Sequence, residues 1–378
     1  MKEIYLDNSS TTMPCKEAVE AARQAAEVCW GNPSSLHIKG FEAELLVKET
    51  RSRVAAVIGA APDEIYFNSC GTEGDNTALI GAAHALKKRG RRIVTTAVEH
   101  PAVLETAKRL EEEGFEVVYI NPERDGTISE QAVKSAITPD TILVSVMTVN
   151  NETGAVFPIS ACRRAIDTVG APALLHTDAV QAYGKLPMAV SRLGVDLLTA
   201  SAHKIHGIKG CGALYIRKGV HIKPLITGGG QERGMRSGTE SVPLISAFGA
   251  AAQVLGNIGA ALKRQQELFD YTKSLLLNSG FAEINSPENA LPYILNISVP
   301  GYRSETLLHF LENDGIYVSS GSACAKGKGS YVLKAAGLSD SRTDSALRIS
   351  FSRYNTREDA DRLAESLRRA VKTIRKAR

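Results

Sequence analysis

Three side chains in this 378-residue chain have the types and the spacing of a covalent cofactor site. Lys204 lies in Ser201-Ala202-His203-Lys204, directly after the apolar run Val195-Asp196-Leu197-Leu198-Thr199. Asp178 closes another apolar run 26 residues earlier, and Gln181 follows within one helical turn. An amine, a carboxylate and a cluster of hydroxyl and imidazole donors at the ends of successive strands form the set needed to hold pyridoxal phosphate. Lys204 would bond the aldehyde, which requires a neutral amine, so burial and neighbouring charges must bring it down from about 10.4. Asp178 would keep the pyridine nitrogen protonated so that the ring can draw electrons from a substrate carbon. Gln181 could hydrogen-bond the ring oxygen, His100 in Val98-Glu99-His100 could stack on the ring face, and Ser201 and His203 can donate to a phosphate. Alone, each has a plainer explanation: a solvated lysine, an exposed acid, a helix-face amide, a histidine capping a turn. Their common position after strands, where open α/β sheets bind ligands, favours the joint reading.

The phosphate needs a cradle, and Phe67-Asn68-Ser69-Cys70-Gly71-Thr72-Glu73-Gly74-Asp75-Asn76 offers one by running from a strand into a helix. Thr72 is expected as its N-cap and Asp75 at the capping-box position. The free N–H groups and the dipole at such a start attract anions.

The elements that must position these residues are legible as alternating β-rich and helical stretches from about Glu64 to Ile216. Expected strands are 64–67, 92–96, 116–120, 142–146, 173–177, 195–198 and 212–216. Several are continuously apolar, as strands covered on both faces are, so a mostly parallel seven-stranded sheet with flanking helices follows. One long helical stretch is expected from Leu244 to Leu277. Beyond it, alternation at Tyr293–Val299 and Ala346–Phe351 around a helix from Ser304 indicates a smaller α+β domain. The expected division is a large domain over 16–256, with 1–15 and 257–378 forming the small one.

Bulk properties exclude several classes. A formal net charge of +4, dispersed along the chain, gives no basis for nucleic acid or an anionic membrane as partner. No window resembles a signal peptide or a membrane span, so the cytoplasm is the expected compartment. Cys15, Cys29, Cys70, Cys162, Cys211 and Cys324 are widely spaced without a CxxC pair, which argues against a zinc site or a disulfide framework.

The chain resembles the cysteine desulfurases, the NifS/IscS-like branch of the class V aminotransferase family with the type I pyridoxal-phosphate fold. The resemblance covers nearly the whole chain: Tyr5 to Thr12, Gly31-Asn32-Pro33-Ser34-Ser35, Gly71-Thr72-Glu73, Glu99-His100, Val149 to Gly154, Asp178 to Gln181, Ser201 to Lys204, Gly228 to Thr239 and Ser319 to Cys324. It implies that Lys204 carries the cofactor, that Asp178, Gln181 and His100 contact its ring with His100 also shuttling protons, and that Gly71, Thr72, Ser201 and His203 bind its phosphate. Asn151 would sit near the ring oxygen and, with Asn8 and Arg353, near the substrate. Arg353 follows a strand, and its guanidinium suits an α-carboxylate; Arg348, inside the alternating strand, reads instead as a structural ion pair. Thr239 would reach the phosphate of the other subunit, implying a homodimer.

Cys324 separates this family from its aminotransferase relatives. It lies in Gly321-Ser322-Ala323-Cys324-Ala325-Lys326-Gly327-Lys328-Gly329, where glycines permit movement and two lysines favour the thiolate over a thiol of ordinary pKa about 8.5. The implied activity converts L-cysteine to L-alanine, leaves sulfur on Cys324 as a persulfide and passes it to an acceptor protein. Three departures leave that acceptor open between an iron-sulfur scaffold and a tRNA-thiolation enzyme. The segment from Cys324 to Ser330 is short, Gly74 replaces the more usual alanine or serine, and the tail after the last helix is short. A selenocysteine lyase, another class V aminotransferase and a catalytically silent cofactor-binding partner are the competing readings.

Overall fold

The computed structural model describes residues 3–320 and 329–376. Cys324 and the adjoining Lys326 and Lys328 lie outside the described residues. A first short strand, β1 (Ile4–Tyr5), precedes the main sheet of β2 (Ile65–Asn68), β3 (Arg92–Thr96), β4 (Glu116–Ile120), β5 (Thr141–Ser145), β6 (Leu174–Asp178), β7 (Leu197–Ser201) and β8 (Gly212–Ile216). Their order is β2-β8-β7-β6-β5-β3-β4, and every pairing is parallel except the two made by β8. Because β2 and β7 are both antiparallel to β8, β2 runs with the parallel strands, and the C-terminal ends of all but β8 open on one side.

The central strands β5, β7 and β8 are buried at every position, which explains their continuous apolar runs. The turns after the strands expose what the strands cannot: Asp178 and Ser201 are the last residues of β6 and β7, and Glu99-His100 and Asn151 follow β3 and β5 within a few residues.

A second core gathers residues from both ends of the chain, among them Ile4, Leu6, Leu268, Leu295, Leu347 and Leu363. It is built on β9 (Glu283–Ile284), β10 (Ile294–Ser298), β11 (Ile316–Tyr317) and β12 (Ala346–Ser350), in a β12-β10-β9 antiparallel sheet and a parallel β1-β11 pair. The Asp7–Ser350 bridge ties the N-terminal segment to β12. Residues 7–12 are thereby carried toward the C-terminal ends of β6 and β7, where Thr12 N–H and Oγ1–H both donate to the His203 carbonyl, at 2.9 and 2.8 Å.

Two local expectations are corrected. The stretch from Leu244 to Leu277 is two helices, Val242–Gln253 and Ile258–Leu277, bent by 75°. Gly256 takes a left-handed φ of 63° there and Asn257 caps the second helix by accepting from Ala260 N–H, a pair of signals that ends one helix and starts the next. Thr72 is not an N-cap: the helix is Gly71–Leu86 with Cys70 at the cap. Glu73, its third residue, accepts from Ser69 N–H at 3.0 Å and Ser69 Oγ at 2.6 Å, doing the work expected of Asp75. Asp75 instead points inward and is 1 % exposed.

Candidate active site

A cavity of about 310 Å³ opens where β2, β3, β5, β6 and β7 end. Gly71, Thr72, His100, Asn151, Asp178, Gln181, Ser201, His203 and Lys204 all line it, so the structure brings together nine residues expected from distant stretches. Lys204 Nζ donates to the carbonyls of Ser9 and Ser10 at 2.5 and 2.9 Å. Burial, reinforced by the Arg348 charge and opposed by Asp178 and Asp7, brings its amine down to about 8. A substantial neutral fraction near neutrality is the condition for attack on an aldehyde.

Asp178 is fixed by the Val180 N–H, which donates to Oδ1 at 2.8 Å. Burial raises its pKa, with His100 and Lys204 pulling the other way. A buried carboxylate without an ion-pair partner is costly, and a protonated ring nitrogen would supply that partner. Beneath it lies a layer the sequence reading missed. His176 bonds Ser145 Oγ through Nδ1 at 2.9 Å and Thr199 Oγ1 through Nε2 at 3.1 Å, with Asp75 Oδ1 at 3.6 Å. Burial holds His176 near 3, hence neutral, while burial and the Asp178 charge push Asp75 well above the usual carboxylate range.

His100 is the N-cap of Pro101–Glu112: its Nδ1 accepts from Ala102 N–H at 3.1 Å. The capping explanation therefore holds, and capping leaves Nε2 as the nitrogen that carries the proton in a side chain that also lines the cavity. Burial lowers its pKa, with Asp178 opposing and Lys204 assisting. Gln181 Nε2 donates to Ser9 O at 2.9 Å, and Lys185 donates to its Oε1 at 3.3 Å, which sets the amide's orientation.

The donors fit a bound phosphorylated ring. Ser201 Oγ, Asn151 Oδ1 and Asp75 Oδ1 are buried without a hydrogen-bond partner among the described residues, and all three residues line this cavity. Unmet polar groups of this kind are rare in folded interiors unless a ligand completes them. A Cβ on Gly71 would come within 2.8 Å of Val180 Cγ2. At Gly74 it would stand 2.7 Å from Thr199 Cγ2, which accounts for glycine at that position.

Three expected residues lie elsewhere. Arg353 lines a separate cavity, donating from Nη1 to Val254 O at 3.1 Å. Arg348, read from its place in the strand as structural, lines the main cavity at 3 % exposure. It does make the expected ion pair, with Asp7 at 2.8 Å, and also donates to Ser10 Oγ at 2.6 Å and Asn151 O at 3.1 Å. Its strand position faces inward where the N-terminal segment crosses β12, a crossing that strand alternation does not reveal. Asn8 is spent on backbone, donating to Ser350 O at 2.9 Å, while its neighbours Ser9 and Ser10 line the cavity. Thr239 lies exposed in a different depression. The Arg236–Glu73 ion pair at 2.9 Å ties its loop to the start of Gly71–Leu86.

Two further lining residues were assigned no role from the sequence, although Glu152 lies within the Val149 to Gly154 stretch. Glu152 is raised to about 7 by burial, opposed by the Ser330 hydroxyl, which donates to Oε2, and by Arg348. Tyr331 OH donates to Glu99 O at 2.5 Å. Ser330 and Tyr331 thus fasten the start of helix Tyr331–Ala335 to the cavity wall.

The fold, the lysine and the acid at the strand ends define the class: residues 4–363 match the aminotransferase class-V family, and the chain belongs to it. It is 42% identical to a cysteine desulfurase of Trichormus azollae over 99% of this chain and 94% of that protein. It is 41% identical to the putative cysteine desulfurase IscS 1 of Bacillus subtilis over 99% of this chain and all of the relative. Among solved structures it is similar to a NifS-like protein with a TM-score of 0.93 and 39% identity, covering 99% of this chain and 100% of the other. It is also similar to SspA in complex with cysteine, with a TM-score of 0.83 and 33% identity over 94% and 100% of the two chains.

Proposed function

We propose that this chain is a pyridoxal-phosphate-dependent cysteine desulfurase that takes sulfur from L-cysteine, releasing L-alanine. The observation that carries the reading is one cavity holding a buried amine near 8, an unpaired carboxylate at its floor and unmet polar groups around its wall, in a chain about 40% identical to cysteine desulfurases over its whole length. When bound, pyridoxal phosphate supplies an aldehyde that captures amines and a ring that withdraws electrons from the substrate α-carbon.

The remaining work belongs to the chain. Thr72, Ser201 and His203 hold the phosphate at the helix start beside Gly71, whose lack of a Cβ lets Val180 pack close; Asp178 holds a proton on the ring nitrogen. Gln181 and Asn151 orient the ring oxygen, and His100 covers the ring face with a proton on Nε2. Lys204 moves the proton at the substrate α-carbon. Arg348 binds the substrate carboxylate, replacing Arg353 in that role, and Ser10 steadies its guanidinium. Cys324 thiolate attacks the substrate sulfur, so the S–S bond forms as the Cβ–S bond breaks, leaving its electron pair on the carbon skeleton, which takes up a proton and departs as alanine; the sulfur stays on Cys324 as a persulfide for a sulfur-acceptor protein, an iron-sulfur scaffold or a tRNA-thiolation enzyme.

The enzyme works as a homodimer in the cytoplasm. Trp30 and Ile38 are about two-thirds exposed, Leu36 is fully so and Phe41 half, an apolar surface that supports a partner subunit. Cys15, Cys29, Cys70, Cys162 and Cys211 are all free thiols, which suits a reducing compartment. The deciding experiment supplies pyridoxal phosphate and L-cysteine to the purified protein and measures alanine. Release of alanine supports the reading; a colourless protein that releases none refutes it.

A further inference from the structure

Behind Lys204 lies a second cavity of about 150 Å³, lined by Thr12, Gly184, Lys185, His206, Arg264, Tyr293, Ser352 and Arg353 together with apolar neighbours. Lys204 lines both cavities. Among the described residues the second wall carries four cationic side chains, Lys185, Lys204, Arg264 and Arg353, and no carboxylate. Glu17, which senses the Arg353 charge, is not part of that lining.

Its donors are in excess. Lys185 is 6 % exposed, yet among the described residues its three N–H bonds have one acceptor, Gln181 Oε1 at 3.3 Å. Arg353 Nε is buried without an acceptor among the described residues, and Tyr293, over whose ring the Lys185 ammonium sits at 5.7 Å, is 8 % exposed. The hydroxyls of Thr12 and Ser352 are already donated, to His203 O and Asn355 Oδ1. His206 adds a left-handed φ of 68°, a conformation that bulky residues adopt at functional sites. Burial together with the Lys204 and Arg348 charges brings Lys185 down to about 7, so an amine here is short of negative charge. Buried cations persist when an anion completes them.

We propose that this second cavity binds a small oxyanion, held by Lys185 and Arg353 with Arg264 at its exposed edge. The chemistry is shared by inorganic sulfate or phosphate and by the carboxylate of a short organic acid. Because Lys185 also sets the amide of Gln181, an occupant there is coupled to the ring-binding side of the main cavity.

The test is calorimetric titration of the cofactor-loaded protein with sodium sulfate, with sodium phosphate and sodium acetate as parallel arms. One sulfate per chain is expected. Lys185→Met and Arg353→Gln should each weaken it at least about tenfold, as truncating a buried charged partner does, while Arg348→Lys, in the main cavity, stays within about twofold. Phosphate binding without acetate binding assigns the site to inorganic anions, and acetate binding extends it to organic acids. Absence of binding in all three arms overturns the proposal, as does binding that Arg348→Lys abolishes and Lys185→Met leaves intact. The test rests on the cofactor reading only for loading, and failure there shows first as a protein that takes up no chromophore.

Discussion

Exchange of the two arginines tests the site most sharply, because sequence and structure disagree about them. Arg348 is 3 % exposed in the main cavity, whereas Arg353 lines a different one. Two hydrogen bonds from a guanidinium to a carboxylate, each worth about 1.5–3 kcal/mol, put the loss from Arg348→Ala at roughly 3–6 kcal/mol, or about 10²–10⁴-fold in kcat/KM for L-cysteine. Arg348→Lys keeps the charge but not the planar fork and should recover only part of this. Arg353→Gln should stay within about threefold, as expected of a side chain outside the substrate cavity. Alanine release at varied cysteine gives the constants, and the cofactor absorbance of each variant shows that loading survives. An Arg348→Ala enzyme within about twofold of wild type, beside an Arg353→Gln enzyme that has lost saturation by cysteine, would refute the geometry and restore the sequence assignment.

The remaining predictions follow from the same neighbourhood. Capture of pyridoxal phosphate by apo protein should accelerate as pH rises through about 8, because the Lys204 amine must be neutral and is protonated below that value; Arg348→Ala should move the midpoint upward, since the Arg348 charge helps to lower it. Gly74→Ala should cost about 1–3 kcal/mol of stability by chemical denaturation, since its Cβ would meet Thr199 at 2.7 Å. For Glu152 burial raises the folded value to about 7, above the ordinary 4.5 of the carboxyl in the unfolded chain, so its contribution to stability is complete below about 4.5 and fades as pH rises through 7. Relative to wild type, Glu152→Gln should therefore be more favourable at pH 8 than at pH 5 in thermal melts.

Much of the candidate site was legible because its cavity-lining residues follow apolar runs directly. Asp178 and Ser201 end strands, so recognising the strand located the residue, and β3, β4 and β8 fall at the expected bounds. What stayed hidden depends on long-range crossings. Arg348 becomes a cavity residue only because Asp7 and Ser10 are brought beside β12, and Glu152 becomes one because Ser330, 178 residues away, bonds it. Strand periodicity assigns faces within an element and is silent about which segment covers them. Thr72 is not the cap for a local reason: Glu73 reaches back to Ser69, so the cap falls two residues earlier than the threonine suggests, at Cys70.

The central claim is that an amine at 204 and a thiol at 324 act on one substrate. Mass spectrometry of the cofactor-loaded protein after L-cysteine, quenched before any reductant or acceptor, tests it directly. The account predicts a gain of one sulfur atom on the peptide carrying Cys324, matched by released alanine, and neither in Cys324→Ser, whose cofactor spectrum stays like that of wild type. Alanine formation that continues undiminished in Cys324→Ser would contradict it.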